Sequence, residues 1–536
     1  MAPARKPRPA AESRRRFGWL APLTVAIAAG GLAGAAHPPF GVLVGLLGYA
    51  ILLLLLDDAH GERPLRSAFL RGWGAGFGYL LIGTYWIGEA FFVDAATHGW
   101  MAPFAVFFTA GGIGLFWGAA GLFYRLLAGP RLGGLPVRPL VFAACFGLLE
   151  WLRGHVLTGF PWNLPGETFA AGSPMSQGAA VFGTYGLSVL LLAVASAPAL
   201  LAQPGGRRGK AVVAGALALV AGGLWLGGTA RLNGARAIPA DAPVVRVVQV
   251  NVDQKDRVPE NLAAIVSTYA ALSSRPARRL PDVVIWPEGA LPAAANEVLN
   301  PASPYFTQIA GALRPGQTLL LGAYRLEPGP GGVPVAYNTM LAMNRTADGL
   351  VLGGLYDKYR LVPFGEFLPF ESILGPIGFG KMVSVAAGFR PGPRPAPITV
   401  PGLPRMQPLI CYESLYPGIA SEDGVRPSWI VNISNDAWFG RTSGPWQHLN
   451  IASYRAIEQG LPIVRSTPTG VSAVIDAYGR TLPGARLPIG VQGIIDRPLP
   501  PALEPTFFER VGDLMFWVLT ICGLACAVPL RRRRSA

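Results

Sequence analysis

What most limits the fold of this 536-residue chain is a series of apolar runs, each near the roughly 20 residues that a membrane-spanning helix needs. Windows of about 19 residues put spans at 18–36, 40–56, 72–93, 101–127, 133–152, 178–202, 211–230 and 513–530. Seven of these precede a long block of different character and one follows it. With 51% hydrophobic and 14% charged residues, the chain reads as an integral membrane protein carrying an attached domain.

Charge sets the orientation. The net charge of +15 is carried almost wholly by arginine, since only Lys6, Lys210, Lys255, Lys358 and Lys381 are lysine. Basic clusters at Arg5 to Arg16, Arg63/Arg66/Arg71, Arg125/Arg131/Arg138, Arg207/Arg208/Lys210 and Arg531 to Arg534 fall on every second connection. That placement points to membrane orientation rather than nucleic-acid binding. Both termini are expected to be cytoplasmic, and the block between the last two spans to face the opposite side, the periplasm of a bacterium. The expected organisation is a basic N-terminus over 1–17, a seven-span membrane domain over 18–230, a soluble domain over 231–512, an eighth span over 513–530 and a basic tail over 531–536. A competing reading takes "SRRRFGWLAP" as a twin-arginine export signal cleaved near "AGAAHPP", but cleavage there would spoil the even span count.

Between the last two spans, short β-branched runs alternate with amphipathic stretches. The runs are "VVRVVQVNV", "DVVIWPE", "TLLLGAYR", "QPLICYE", "SWIVNISND", "LPIVRST" and "VSAVIDAYG"; the amphipathic stretches include "ENLAAIVSTYAAL" and "HLNIASYRAIEQG". Continuous apolar strands between helices imply an α/β domain whose sheets are covered by helices. Polar residues of interest stand where strands end. Glu288 closes "VVIWPE", where desolvation would raise its pKa toward that of a working base; a solvated turn acid is the plainer reading. Lys358 is a lysine beside aromatics in a protein that otherwise uses arginine, suited to neutralising a carboxylate or an oxyanion, or else an ordinary surface lysine. Glu366, eight residues on, is a supporting or lid carboxylate or a loop acid. Cys411 follows "PLI" as though a strand ended in a sharp turn, and a thiol there needs a base or cation to attack quickly; a buried inert cysteine is the alternative. Glu413 stands two residues from it.

Other candidates carry less. His448 is the one histidine of the soluble block, so a Cys-His dyad would rest on it alone, and a packing or hydrogen-bonding role is preferred. Of the other cysteines, Cys145, Cys522 and Cys526 lie in apolar runs, which leaves Cys411 without a disulfide partner. Glu150 and Arg153 in "LEWLRG" are spaced to pair at a membrane end. No cluster has metal-ligand spacing and no glycine-rich phosphate loop follows a strand, so neither metal, cofactor nor nucleotide is expected.

Together "WPE", "DKYRLVPFGE" and "CYES" resemble the Glu-Lys-Cys triad of the nitrilase, or carbon-nitrogen hydrolase, superfamily. Within it the whole chain resembles the apolipoprotein N-acyltransferase family, through "HPPFG", "LEWLRGHVLTGFPWN", "VFGTYGLSVL" and "NISNDAWFGRTSGPWQHLNIASYRAIEQGLPIVRSTPTG". Gly289 departs from the family's usual threonine and Pro468 from its asparagine, and a tryptophan common after "VVQVNVDQ" is lacking. The resemblance implies an α-β-β-α sandwich on a multi-pass helical membrane domain in the bacterial inner membrane. It also implies Glu288, Lys358 and Cys411 as catalytic, with Glu366, Tyr412, Glu413 and Trp438 as supporting or substrate-binding positions.

The implied reaction is ping-pong acyl transfer. Cys411 would take the sn-1 acyl chain of a phospholipid such as phosphatidylethanolamine as a thioester, then pass it to the α-amine of a diacylglyceryl-cysteine at an apolipoprotein N-terminus, without nucleotide or metal. Two other readings compete: a membrane-tethered amidase that hydrolyses small amides, and a catalytically dead lipid-binding module. The segment "FGEFLPFESILGPIGFGKM" is expected to form an apolar arm between membrane and site.

Overall fold

A computed structural model describes residues 20–60, 63–128, 135–203, 205–370, 372, 388–418 and 425–528. The basic termini expected at 1–17 and 531–536, Arg131, and most of the expected apolar arm lie outside the described residues.

The membrane domain holds helices α1 (Leu20–Ala35), α2 (Leu47–Asp57), α3 (Pro64–Thr84), α4 (Ala102–Ala128), α5 (Arg138–His155), α6 (Ala179–Ser196) and α7 (Arg207–Asn233). Among the described residues four helical stretches, 95–128, 138–158, 175–201 and 207–233, are long and apolar enough to cross a bilayer. Small residues let the helices approach closely. A Cβ on Gly30 of α1 would lie 1.8 Å from the Ala75 carbonyl oxygen of α3, and one on Gly78 would lie 2.0 Å from that of Ile27. On the lipid side, Phe104 and Phe108 of α4 and Leu219 of α7 are exposed, as aliphatic and aromatic surface is in a solvent of acyl chains.

The third expected span, 72–93, is misplaced at both ends. The helix starts at Pro64, a residue suited to a first turn, and passes into 3-10 geometry over Tyr85–Phe92. Hydropathy windows discount its start because of Arg66 and Arg71. Arg71 is nevertheless buried, donating to the Leu55 carbonyl.

The soluble block forms two sheets. The first runs β11-β1-β2-β3-β4-β5, with β1 (Val244–Gln249), β2 (Val283–Trp286), β3 (Thr318–Glu327), β4 (Val335–Arg345), β5 (Leu350–Asp357) and β11 (Gly493–Pro498). The second runs β10-β9-β8-β7-β6, with β6 (Met406–Ile410), β7 (Trp429–Ile433), β8 (Ile463–Ser466), β9 (Ser472–Ile475) and β10 (Thr481–Leu487). Strands β1, β2 and β3 pair in parallel, as do β6, β7 and β8.

Period-two alternation shares the strand residues between two cores. Val247, Ile285, Leu320, Ile410, Val431 and Ile433 pack between the sheets. Val248, Val284, Trp286 and Leu321 point outward onto α8 (Leu262–Ser273) and α9 (Pro304–Gly311). On the other side Leu409, Ile430 and Ile463 pack with Ile451 and Ala456 of α10 (Gly444–Gln459). The result is the α-β-β-α sandwich. After it, α11 (Leu514–Ala525) returns to pack on α5 and α6, with Phe516 fully buried.

The two parts are bolted together by polar contacts. Trp86 and Trp162 from the membrane domain both donate to the Gln447 side chain on α10, at 3.2 and 2.9 Å. Arg455 of α10 pairs with Glu167 at 3.2 Å.

Candidate active site

The ends of strands from both sheets meet at one point. Cys411 directly follows β6, and its φ of +52° breaks the strand in a conformation costly for a residue with a Cβ. Such a turn lifts the side chain out of the sheet's alternation. Cys411 heads a short 3-10 turn, Cys411–Leu415, and all four cysteines of the chain are free thiols.

Facing it are the residues at the ends of β2, β4 and β5. Lys358 Nζ donates to Glu288 Oε1 at 3.0 Å and to Glu366 Oε1 at 2.9 Å. Asn338 of β4 donates to the same two oxygens, at 2.7 and 2.8 Å. The backbone N–H of Asn435, just after β7, donates to Glu288 Oε2 at 2.7 Å. Lys358 and Glu288 are both buried.

The electrostatics correct one expectation. Burial does push the Glu288 carboxyl up, as its strand-end position implies, but Lys358, Asn338 and the Asn435 N–H outweigh it and hold the pKa below the ordinary value. Lys358 shifts the opposite way. Burial lowers it, but the Glu288 and Glu366 carboxylates more than compensate. The Cys411 thiol is raised, first by burial and then by the negative charge of Glu288, with Lys358 opposing. The resting site is therefore an ion pair beside a neutral thiol.

Glu413, which sequence spacing alone did not tie to the site, proves to be its main fastener. Its Oε1 accepts from the Tyr356 hydroxyl at 2.8 Å and from the Tyr359 and Arg360 N–H groups at 2.8 and 3.2 Å, while Oε2 accepts from Ile410 N–H at 2.7 Å. It thus joins the strand end before Cys411 to the segment carrying Lys358. Burial pushes its carboxyl up to about 7 against those donors. Glu366 also accepts from Val362 N–H at 2.8 Å, which fixes the loop after Lys358.

Tyr412 points to the membrane domain, where its hydroxyl donates to the Gly159 carbonyl at 2.6 Å. Trp438 lies half-buried in the Asp436–Phe439 turn, but its neighbour Phe439 takes the ring contacts with Trp86, Trp162 and His448. His448 serves in hydrogen bonding: Nδ1 lies 3.0 Å from Asp436 Oδ1, and Nε2 lies 3.2 Å from the Cys411 carbonyl oxygen. Asp436 is in turn held by Arg465 at 2.7 Å, and that guanidinium and the His448 ring keep its carboxyl well below the usual range despite burial. Burial, followed by the Arg465 charge, lowers His448 and favours a neutral ring.

Asn338 and Asn435 were missed in the sequence. Asn338 stands on a strand with no apolar run to announce it, and Asn435 contributes a backbone N–H, which no side-chain pattern reveals. Among the described residues no group of three or more His, Cys, Asp and Glu could hold a metal.

The arrangement sets a thiol on a strained turn beside a carboxylate kept ionised and an ammonium, groups of the kind that covalent acyl chemistry uses. Comparisons agree. Residues 29–197 match the family described as "Apolipoprotein N-acyltransferase N-terminal domain" and residues 234–497 match "Carbon-nitrogen hydrolase". A Caulobacter vibrioides protein named apolipoprotein N-acyltransferase is 52% identical over 96% of this chain and 95% of its own. One of the same name from Rhodopseudomonas palustris is 38% identical over 97% and 96%. A solved amidase from Nesterenkonia sp. AN1 is 17% identical, with a TM-score of 0.32 over 48% of this chain and 93% of its own.

Proposed function

The chain belongs to the apolipoprotein N-acyltransferase family, and from that premise we propose that it N-acylates apolipoproteins through a thioester on Cys411, with Glu288 as base and Lys358 as oxyanion partner. The observation that carries the residue assignment is the convergence of the Cys411 turn on the buried Glu288–Lys358 pair. The amidase alternative is not favoured, because the likeness to the acyltransferases runs through the membrane part as well as the hydrolase-like domain.

The donor in this reading is the sn-1 ester of a phospholipid such as phosphatidylethanolamine. As the ester carbonyl docks, Glu288 takes the thiol proton and Sγ attacks the carbonyl carbon. Charge moves onto the carbonyl oxygen, where Lys358 can receive it. The tetrahedral adduct collapses, the C–O bond breaks, and the lysophospholipid alkoxide leaves with the proton from Glu288. The second half mirrors the first: the α-amine of a diacylglyceryl-cysteine attacks the thioester, Glu288 accepts the amine proton, and the thiol returns. A thioester carries enough driving force for amide formation, so no nucleotide enters.

The neutral resting thiol fits this order. A buried thiolate would be alkylated or oxidised between turnovers, whereas a thiol that ionises only as the ester arrives is protected. In the same reading all eight apolar helices cross the inner membrane, both termini are cytoplasmic, and residues 231–512 face the periplasm, where lipid-anchored substrates meet the site from the bilayer.

The test is direct. Purified full-length protein incubated with labelled phosphatidylethanolamine should show an acyl adduct on Cys411 by mass spectrometry, discharged by a diacylglyceryl lipopeptide and absent in Cys411→Ser. A wild-type protein that stays unmodified under these conditions would sink the thioester route.

A further inference from the structure

Several arginines of the catalytic domain are fixed by carboxylates. Arg246 pairs with Asp496, Arg325 with Asp357, Arg455 with Glu167 and Arg465 with Asp436. Arg360 pairs with no carboxylate among the described residues. Its guanidinium lies 4.5 Å from the centre of the Tyr416 ring and 5.7 Å from that of Tyr359, and its Nε is buried without a hydrogen-bond partner. Stacking satisfies the flat face of a guanidinium and leaves its N–H edge open for an anion.

Arg360 lines a cavity of about 340 Å³ together with Thr158, Tyr359, Leu361, Phe367, Phe389 and Pro391. Two features locate the cavity. The residue two before Arg360 is Lys358, and the Arg360 N–H is held by Glu413, so the wall of the cavity is continuous with the reacting centre. On the other side Thr158 comes from the loop after α5, where Val156 and Leu157 are 44% and 76% exposed. Two apolar side chains presented outward beside a membrane helix place the mouth at the bilayer surface, the depth at which lipid phosphates lie.

We propose that Arg360 binds the phosphate diester of the acyl donor in this cavity, and so sets the register of the ester carbonyl against Cys411. The assignment rests on the acyl-transfer reading above and adds a binding residue to it. It also separates the half-reactions. The donor carries a phosphate, whereas a diacylglyceryl-cysteine acceptor carries none, so Arg360 acts in thioester formation and is idle in thioester discharge.

The experiment uses full-length protein in detergent micelles and follows single-turnover acylation of Cys411 from two donors, phosphatidylethanolamine and a phosphate-free fatty-acyl p-nitrophenyl ester. Arg360→Gln is expected to slow acylation by the phospholipid about thirty-fold or more, the loss of a charge-assisted bidentate contact, and to leave the rate with the activated ester within about three-fold. Arg360→Lys, keeping the charge without the fork, should fall between. Discharge of preformed thioester by a diacylglyceryl lipopeptide should be unaltered in both variants. Equal losses with both donors would mean that Arg360 only supports the fold of the site, and no loss with phospholipid would remove it from donor binding; either overturns the proposal. Binding of inorganic phosphate that needs Arg360 but leaves acylation by phospholipid unchanged would assign the cavity to a soluble anion and overturn the lipid assignment. A wild type acylated by the activated ester but never by phospholipid would instead sink the donor reading, and the proposal with it.

Discussion

Two buried ion pairs, one in each half of the molecule, look alike on paper and differ in what they can do. In the membrane domain Arg153 pairs with Glu150, and every strong donor of the cluster has a fixed acceptor. Arg153 Nη1 donates to the carbonyls of Phe160 and Trp162, at 2.6 and 3.0 Å, and Trp117 Nε1 donates to Glu150 Oε1 at 2.5 Å. One cation meets one carboxylate, and backbone carbonyls absorb the remainder. In the catalytic domain one ammonium, Lys358, meets two carboxylates, Glu288 and Glu366. Lys358 would therefore keep Glu366 as a partner if Glu288 took up a proton. The membrane-domain arginine is committed to one carboxylate, and the lysine is shared between two.

The largest effect expected from this contrast is at Glu288. Glu288→Gln keeps an acceptor for Lys358 and Asn338 but cannot take a proton, so single-turnover acylation of Cys411 should fall about 10³- to 10⁴-fold with little change in melting temperature. A fall of less than about ten-fold would move the base elsewhere. At the clamp the order of effects reverses. Glu150→Gln or Arg153→Met alone leaves a buried charge uncompensated and should cost about 3–5 kcal/mol. Glu150→Gln combined with Arg153→Met removes both charges and should cost clearly less than the sum of the single changes. Unfolding in mixed micelles measures the cycle, and simple additivity would refute the clamp. Removing both members of the catalytic pair, by contrast, should restore no activity.

A third prediction uses the thiol. Burial and the Glu288 charge hold Cys411 protonated, so iodoacetamide should modify it slowly through pH 7–9, with no inflection near the ordinary thiol value of about 8.5. The sign is set by the acid: below its raised pKa the thiolate is scarce, and alkylation climbs only as pH passes that value. Glu288→Gln removes the neighbouring negative charge and leaves Lys358, so its Cys411 should alkylate about ten-fold faster than wild type at pH 8 while transferring almost nothing. Faster alkylation of wild type than of the variant would contradict the resting state described here.

The same contrast explains what the sequence disclosed. Over their described residues all eight apolar runs are largely helical and the seven quoted β-branched runs contain strands, because both signals come from local periodicity. Strands β4, β5, β10 and β11 were not read. β4 mixes polar residues through "VAYNTMLAMNR", β5 is broken by glycines, and β10 carries Pro483 and Gly484. Glu288, Lys358 and Cys411 each had a plainer reading until their joint resemblance to a family singled them out. The direction of the Glu288 shift was misread, since the donors that decide it, Asn338 on β4 and the Asn435 N–H, belong to elements distant in the chain.

The smallest effect concerns the joint between the two halves. Tyr412 follows Cys411, and its hydroxyl reaches the Gly159 carbonyl on the loop that Arg153 pins through Phe160 and Trp162. The membrane clamp and the catalytic turn therefore share one strut. Tyr416 donates to the same carbonyl at 3.1 Å and to that of Thr158 at 2.9 Å, so the strut is doubled. Tyr412→Phe should then cost about 1 kcal/mol, a roughly five-fold slower transfer from bilayer lipid, because Gly159 keeps a donor. Tyr412→Phe with Tyr416→Phe leaves that carbonyl buried and unpaired, and should cost more than the two changes added together. Strict additivity would uncouple the two tyrosines. A loss of about 10³-fold from Tyr412→Phe alone would place its hydroxyl in the chemistry, and the loop would cease to be the link between membrane clamp and catalytic base.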